Sequence, residues 1–287
     1  MGKYLLNDFI VREYVENALK EDVGFGDIST DYICANADLT KDFEVCLRSR
    51  QDGIFCGEDP FRIVFEVLSG NKVQVEFFVQ DGDFIEKDKV LAKIKGNPRH
   101  ILTGERLALN FVQRMSGIST YTRQFVDIIE PYQVSMADTR KNTPNFRLFE
   151  KYAAKVGGAR LHRFNLSDCV MLKDNHIALL GGSIKDAVLK VKAYNSHAHK
   201  IEVECDNYEQ VVEAISANVD IIMLDNMSLD KIKKCVNFIN NRAIIEISGN
   251  VTLDNIEEYA KTGINVISSS AIIAKAPTLD LGFDYLG

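Results

Sequence analysis

KIEVECDNYEQVVEAISANVDIIMLDNMSLDKIKKCVNFINNRAIIEIS occupies residues 200–248 and alternates three short apolar runs with two longer amphipathic segments. The apolar runs begin at Lys200, Asp220 and Ala243 and have the length of buried strands. The segments 207–217 and 228–240 between them carry apolar residues at helical spacing. Regular strand–helix alternation predicts a parallel sheet, either open or closed into a barrel.

The alternation continues on both sides of this stretch, whereas the first hundred residues have another pattern. Further strands are predicted at 133–137, 169–173 and 265–269, and further helices at 145–156, 183–194 and 252–262. In the earlier part we predict helices over 8–20, 60–68 and 103–126, the last interrupted at Gly117, and strands over 43–49, 53–57, 72–79 and 90–94. Short strands separated by turn residues predict an α+β unit with an antiparallel sheet there.

Composition excludes several classes of function. The chain has 287 residues, a formal charge of -7, 46% hydrophobic residues and 26% charged residues, which is ordinary for a globular protein. The net negative charge argues against general binding of nucleic acid. No apolar run approaches the roughly 18 residues that a membrane span requires. The start of the chain does not resemble a signal peptide, and the six cysteines form no CxxC pair. We therefore expect reduced thiols and a cytoplasmic location.

Positive charge is nevertheless concentrated between Ala137 and His176. Such a cluster in an acidic protein indicates a small polyanion as ligand, because arginine pairs well with carboxylate or phosphate and lysine adds point charges. The cluster consists of Arg140, Lys141, Arg147, Lys151, Lys155, Arg160, His162, Arg163 and Lys173.

Charged or small polar residues also follow the predicted strands of the second half. In an α/β barrel that edge of the sheet forms the mouth of the active site. Polar residues are common wherever a strand turns, but six consecutive cases favour an enzyme. These residues are Asp138, Arg140 and Lys141; Lys173 and Asp174; Glu204; Asp225; Ser248 and Gly249; and Ser268, Ser269 and Ser270.

The acids of this set would face its cations. Glu204 and Asp225 suit a substrate that carries phosphates, sugar hydroxyls and a divalent cation, because Mg²⁺ is usually held by one or two carboxylates and by substrate phosphates. The backbone amides of Ser248–Gly249 and of 268–270 suit a phosphate group. A buried ion pair between these acids and a neighbouring lysine is an open alternative.

At these positions the chain resembles the quinolinate phosphoribosyltransferase family. The specific motifs are DTRK at 138–141, HR at 162–163, LKDNH at 172–176 and LDN at 224–226. The likeness extends to LKEDVGFGDIST and ERLALNFVQRMSGIST in the first half, so it covers almost the whole chain.

The resemblance implies a type II phosphoribosyltransferase-like fold. It implies an N-terminal α/β sandwich over 1–115 and an open, incomplete α/β barrel over 116–275, with the tail 276–287 packing back onto the first domain. It also implies a homodimer, or a hexamer built as a trimer of dimers, with active sites shared between subunits.

The resemblance further implies the reaction and the residues that perform it. Phosphoribosyl pyrophosphate and quinolinate would give nicotinate mononucleotide, pyrophosphate and CO₂, with Mg²⁺ as cofactor, in the biosynthesis of NAD. The implied catalytic residues are Lys141, Lys173, Glu204 and Asp225, of which Glu204 and Asp225 also hold ribose hydroxyls and Mg²⁺. The implied contacts to the acid are Arg140, His162, Arg163 and Lys173, with Arg106 supplied by the other subunit, and those to the 5-phosphate are Ser248, Gly249, Ser269 and Ser270.

Four departures from the family pattern keep other readings open. Leu161 replaces an asparagine, Asn145-Phe146 replaces glycine-leucine, Asn250 replaces a glycine, and SSSAIIAKAP at 268–277 replaces a motif that contains glycine and histidine. The last segment is similar to ModD paralogues, so a ModD-like phosphoribosyltransferase acting on another carboxylate is the first alternative. A noncatalytic anion-binding barrel is the second alternative. Glu204 and Asp225 argue against it, because carboxylates that face an anionic ligand would not strengthen its binding.

Overall fold

The computed structural model describes residues 6–36 and 43–286, which form two compact units. Within the described residues, the first unit comprises the chain up to Arg123, the segment Thr143–Gly157 and the residues from Ala276 onward. The second unit comprises Gln124–Asn142 and Gly158–Lys275. The sequence-based boundary at 115/116 therefore differs from this division chiefly in the segment 143–157.

The described helices and strands are numbered in chain order. The helices are α1 (Asp8–Val23), α2 (Ile28–Cys34), α3 (Glu58–Ser69), α4 (Pro98–Ile129), α5 (Arg147–Val156), α6 (Asp174–Leu179), α7 (Ile184–Tyr194), α8 (Tyr208–Ser216), α9 (Leu229–Ile239), α10 (Ile256–Ala260) and α11 (Ala271–Ala274). The strands are β1 (Phe43–Ser49), β2 (Gly53–Ile54), β3 (Gln74–Phe77), β4 (Phe84–Ile85), β5 (Val90–Gly96), β6 (Ser135–Ala137), β7 (Val170–Leu172), β8 (Ile201–Cys205), β9 (Ile221–Asp225), β10 (Ile244–Ser248), β11 (Val266–Ser268) and β12 (Leu281–Tyr285).

The first unit contains the predicted antiparallel sheet, in the order β12-β1-β5-β3. Strand β12, from the tail of the chain, pairs with β1, so that Phe283 lies opposite Leu47. Helix α3 covers the sheet with the buried rings of Phe61 and Phe65, whose centroids lie 5.9 and 6.3 Å from that of Phe283. Burial of these large aromatic side chains stabilises the contact between helix and sheet.

Helix α5 belongs to the first unit because of its own packing. The Phe149 ring contacts the ring of Tyr14 on α1 edge to face, with centroids 5.5 Å apart. The Ser119 hydroxyl on α4 donates to the Ala153 carbonyl over 2.8 Å. The helical periodicity of 145–156 predicts a helix, but it cannot show which surface its apolar face meets.

Helix α4 is continuous through Gly117, where the sequence predicts an interruption. The glycine is needed for close packing instead, because a Cβ there would lie 2.9 Å from Thr278 Cα and 3.0 Å from Leu279 N. The Leu279 amide donates to the Gln113 carbonyl over 2.9 Å at the same contact. Although α4 has 32 residues, neither it nor any other helix of the described residues is apolar enough to cross a membrane.

The second unit is built on six parallel strands in the order β6-β11-β10-β9-β8-β7. This confirms the predicted parallel sheet, and among the described residues the sheet is open between β6 and β7. Intervening helices such as α8 and α9 bury apolar residues, including Val211 and Ile232. Because all six strands run the same way, their carboxyl ends meet at one edge.

Candidate active site

A cavity of about 330 Å³ opens at that edge, and all of its lining residues belong to the second unit. It brings together most of the residues that the sequence singles out on both the cationic and the acidic side. Its lining consists of Thr139, Arg140, Lys141, His162, Arg163, Met171, Lys173, Glu204, Met223, Asp225, Glu246, Ser248 and Ser268.

The acidic side follows directly from strand register. Asp225 is the last residue of β9 and pairs with Ser248, the last residue of β10. Glu204 on β8 pairs with Met223 on β9, two residues before Asp225. Since alternate residues of a strand share a face, Glu204 and Asp225 reach the same cavity from neighbouring strands.

The cationic side depends on loops as well as strand ends. Arg140 and Lys141 follow β6, and Lys173 follows β7 as the residue that precedes α6. His162 and Arg163 lie in the long loop before β7. A bridge between Ala137 and Arg160, and a 2.8 Å bond from the His162 amide to the Asp138 carboxylate, hold this loop beside β6.

Two residues that line the cavity form an ion pair, between Lys173 Nζ and the Glu204 carboxylate. The alternative of an ion pair with a neighbouring lysine is therefore realised for Glu204 in this structure. Lys173 keeps 44% of its side-chain surface exposed and Glu204 keeps 17%, so the pair is open to a ligand. A polyanionic substrate would compete with Glu204 for the ammonium group.

The two carboxylates form a site suited to a divalent cation. Burial raises the pKa of Asp225, and the charge of Glu204 raises it further, although the side-chain amide of Asn226 donates to Asp225 Oδ2 over 2.8 Å and opposes the shift. Repulsion between two carboxylates is relieved when a cation binds between them, and oxygen ligands are those that Mg²⁺ prefers. Glu204 and Asp225 thus fit the predicted metal site in their chemistry.

Arg163 directs part of its guanidinium group to the wall of the cavity. Its Nη1 donates to the Cys169 carbonyl over 3.3 Å, and its Nη2 lies 3.0 Å from Met171 Sδ. The weak thioether acceptor leaves that donor available for a stronger partner. A carboxylate entering the cavity would be such a partner, because charge-assisted bonds are about twice as strong as neutral ones.

The small residues at the other end of the cavity divide into two groups. Ser248 and the buried Ser268 line the cavity, and Gly249 adjoins Ser248 with φ of 101°. The buried Ser269 is used within the fold: its amide donates to the Ala137 carbonyl and its hydroxyl accepts from the Ala271 amide, each over 3.1 Å. Ser270 precedes α11 and is not among the residues that line the cavity.

Arg106 lies on α4 in the first unit and is exposed. It lines a separate pocket there with Asp27 and Thr103 and is not among the residues that line the cavity of the second unit.

Sequence analysis missed several lining residues, of which Glu246 is charged. It also missed Glu202, which is fully buried next to His162. The available signal was strand periodicity, since Glu202 and Glu246 stand two residues before Glu204 and Ser248 and therefore share their faces. Polar residues at the strand ends indicate the rim of the cavity but not the residues one layer deeper in the sheet.

Family models match both halves of the chain. Residues 27–116 match the N-terminal domain of quinolinate phosphoribosyl transferase, and residues 118–284 match its C-terminal domain. A probable nicotinate-nucleotide pyrophosphorylase (carboxylating) of Synechocystis is 41% identical over 95% of this chain and 91% of its own length. A probable enzyme of the same name from Bacillus subtilis is 36% identical over 97% of this chain and 94% of its own length.

Solved structures agree with these sequence relatives. The nicotinate-nucleotide pyrophosphorylase of Francisella tularensis superposes with a TM-score of 0.92 at 36% identity, covering 98% of each chain. NadC from Streptococcus pyogenes superposes with a TM-score of 0.91 at 39% identity, covering 98% of this chain and 99% of the other. With both family models matched in order and near-full-length relatives above 30% identity, the chain belongs to the quinolinate phosphoribosyltransferase family.

Proposed function

We propose that the cavity of the second unit transfers a phosphoribosyl group from phosphoribosyl pyrophosphate to quinolinate, as in the de novo biosynthesis of NAD. The products are nicotinate mononucleotide, pyrophosphate and CO₂. The observation that carries the proposal is the cavity itself, which Arg140, Arg163 and Lys173 line together with Glu204 and Asp225. A dicarboxylic acid and a phosphorylated sugar need these two kinds of surface side by side.

The cationic residues bind and orient the acid. Arg140, His162, Arg163 and Lys173 are the proposed contacts, with the two guanidinium groups gripping carboxylates. This grip aims the ring nitrogen at the anomeric carbon of the ribose. Holding two reactants in this way removes much of the entropic barrier to a reaction between them.

Bond formation between the ring nitrogen and the anomeric carbon accompanies rupture of the bond from that carbon to pyrophosphate. The anomeric carbon gains positive charge, which Glu204 and Asp225 stabilise from their side of the cavity. Lys141 and Lys173 neutralise charge on the departing pyrophosphate and on the acid. The carboxylate next to the ring nitrogen then leaves as CO₂, because the cationic ring accepts its electron pair, and the same carbon takes up a proton.

Glu204 and Asp225 are also the proposed residues that hold Mg²⁺ and the ribose hydroxyls. When bound, the ion would neutralise charge on pyrophosphate as that group leaves. The 5-phosphate is assigned to the small residues Ser248 and Gly249 and to the loop that contains Ser269 and Ser270. Removal of divalent cations should abolish turnover, and added Mg²⁺ should restore it.

The proposed acceptor is tested by turnover with phosphoribosyl pyrophosphate and a panel of aromatic carboxylates. Quinolinate should give nicotinate mononucleotide and CO₂, and nicotinate should react poorly because it lacks the second carboxylate. Equal or better use of nicotinate, or no turnover with quinolinate, would contradict the assignment. Turnover confined to another acid would favour the ModD-like alternative.

We further propose that the protein is a homodimer or a hexamer with shared active sites, in which Arg106 serves the neighbouring subunit. Support comes from the family resemblance and from the placement of exposed Arg106 in the unit that does not contain the cavity. Arg106→Ala and Lys173→Ala should each be inactive. Mixing them should restore part of the activity, since some hybrid sites carry neither lesion. No recovery despite demonstrated subunit exchange would contradict sharing.

A further inference from the structure

Two buried glutamates lie one layer beneath the mouth of the cavity. Glu202 on β8 is fully buried, and Glu246 on β10 retains 3% of its surface. They share strand faces with Glu204 and Ser248, which stand two residues further toward the carboxyl edge. Neither buried acid has a role in the proposed chemistry.

The ring of His162 joins both acids. Its Nε2 lies 3.2 and 3.4 Å from the two carboxylate oxygens of Glu202 and 3.6 Å from Glu246 Oε1. Its Nδ1 accepts a 2.8 Å hydrogen bond from the Arg163 amide. A ring nitrogen that accepts carries no hydrogen, so the proton of the neutral ring is on Nε2, where Glu202 accepts it.

This arrangement engages both ring nitrogens of His162 within the protein. The His162 amide is fixed as well, through its 2.8 Å bond to Asp138. The ring therefore connects the buried acids to the main chain of Arg163, whose guanidinium lies at the cavity wall. The two buried acids would act through His162 and Arg163 in this way and need not touch the ligand themselves.

Burial of two acids at this place is costly and requires compensation. Glu202 Oε2 and Glu246 Oε1 are buried without a hydrogen bond to the described residues. Apolar residues of similar volume often replace such buried charged groups with no loss of stability. The presence of two buried acids around a single histidine therefore points to a role in the site more than to a role in the fold.

We infer that Glu202 and Glu246 are positioning residues for the acceptor acid, which hold the His162 ring by Nε2 and thereby fix the Arg163 main chain at the cavity. The inference rests on the proposed function for its kinetic consequence, but the arrangement of the ring can be tested separately. Because the effect passes through Arg163, it should be specific to the acid and should spare phosphoribosyl pyrophosphate.

Kinetics of paired variants test the positioning role. Glu202→Met removes the oxygen that accepts from Nε2, and Glu246→Met removes the carboxylate oxygen 3.6 Å from Nε2. Each change should raise the KM for quinolinate about tenfold or more, with little change in the KM for phosphoribosyl pyrophosphate. Glu202→Gln keeps an oxygen that can accept from Nε2 and should recover most of the loss. Glu213→Met, which removes a hydrogen-bonded glutamate on α8 that does not line the cavity, is the matched control.

Equal losses for both substrates in folded variants would overturn the inference, as would normal kinetics in the methionine variants. A Glu202→Gln variant as poor as Glu202→Met would also overturn it, because charge and not ring orientation would then be the property that matters. Thermal unfolding verifies that each variant is folded.

Nitrogen NMR of the wild-type protein labelled with ¹⁵N-histidine provides a readout that needs no variant to be active. The chain has five histidines, and His162→Gln assigns the signal of interest. Where the ring is neutral, we expect its proton on Nε2. A ring protonated on Nδ1 with Nε2 bare, as a metal ligand would require, overturns the inference. If the expected ring form accompanies an enzyme that does not use quinolinate, the proposed function fails while the arrangement of His162 stands.

Discussion

Replacement of Arg163 by alanine should weaken binding of quinolinate far more than binding of phosphoribosyl pyrophosphate. In the structure the guanidinium has one weak bond to the Cys169 carbonyl and one contact with the thioether of Met171. The guanidinium N–H groups of Arg163 can therefore bond to a carboxylate with little loss of existing hydrogen bonds. Truncation would leave that carboxylate unpaired in a partly desolvated cavity.

The expected magnitude follows from burial and from the neighbouring cations. Loss of one partner of a buried charged pair typically costs about 2–5 kcal/mol. Arg163 is only half-buried, and Arg140 and Lys173 line the same cavity, so the lower part of that range applies. A loss of about 2–3 kcal/mol corresponds to a Kd for quinolinate that is roughly 30 to 150 times weaker. Arg163→Lys should recover only part of it, because an ammonium group lacks the planar fork of donors.

Calorimetric titration of each substrate into each variant measures the effect. Arg242→Ala is the matched control, because Arg242 follows α9 and bonds to the Ile239 carbonyl over 3.0 Å just before β10 begins, at the opposite edge of the sheet. It should leave both affinities unchanged. A matched loss for quinolinate and phosphoribosyl pyrophosphate in Arg163→Ala would refute the reasoning, since Arg163 would then organise the whole site.

Three further predictions concern backbone packing and titration. Gly249→Ala should raise the KM for phosphoribosyl pyrophosphate in steady-state assays, because the added Cβ would lie only 2.6 Å from Cγ of the Asn226 side chain. Gly263→Ala is the control: Gly263 also has a positive φ, but its added Cβ would have its nearest contact at 3.5 Å, so that KM should stay unchanged. Gly117→Ala should lower the Tm by displacing the C-terminal segment, and an unchanged Tm would contradict the packing described for α4. Burial, followed by the charge of Glu202, raises the pKa of the Glu246 carboxyl from 4.5 to about 7. The contribution of this group to stability is therefore fully present below about pH 4.5 and is lost as the pH rises through about 7. Relative to Glu246→Gln, the wild-type protein should therefore lose up to about 3 kcal/mol of unfolding free energy across that window, measured by urea unfolding at a series of pH values.

The strands and helices of the second unit were predictable because their hydrophobic patterns are regular. Predicted strands at 200–204, 220–224 and 243–247 correspond to β8, β9 and β10 within one residue at each end. The predicted interruption of α4 at Gly117 was wrong, because a glycine that breaks a helix and one that admits a neighbouring chain look the same in a sequence. Helix propensity is a local property, whereas that contact joins residues far apart in the chain.

The candidate site was predictable only at its rim. Glu204, Asp225 and Ser248 follow from the rule that parallel strands end together, and the cationic residues follow from charge and motif. Glu202 and Glu246 were missed because strand periodicity places them on the faces of Glu204 and Ser248 but does not show what they contact. The role of each acid depends on which residue of another element comes within bonding distance.

The sequence by itself determined the parallel α/β architecture, the family and the chemical character of the cavity, because hydrophobic period and motif spacing are properties of consecutive residues. Only the tertiary structure decided that the sheet stays open between β6 and β7, that 143–157 joins the first unit, and that Lys173 pairs with Glu204. Tertiary structure alone also brought His162 between two acids that lie 40 and 84 residues later in the chain. These outcomes depend on distances between residues remote in sequence, which local patterns do not encode.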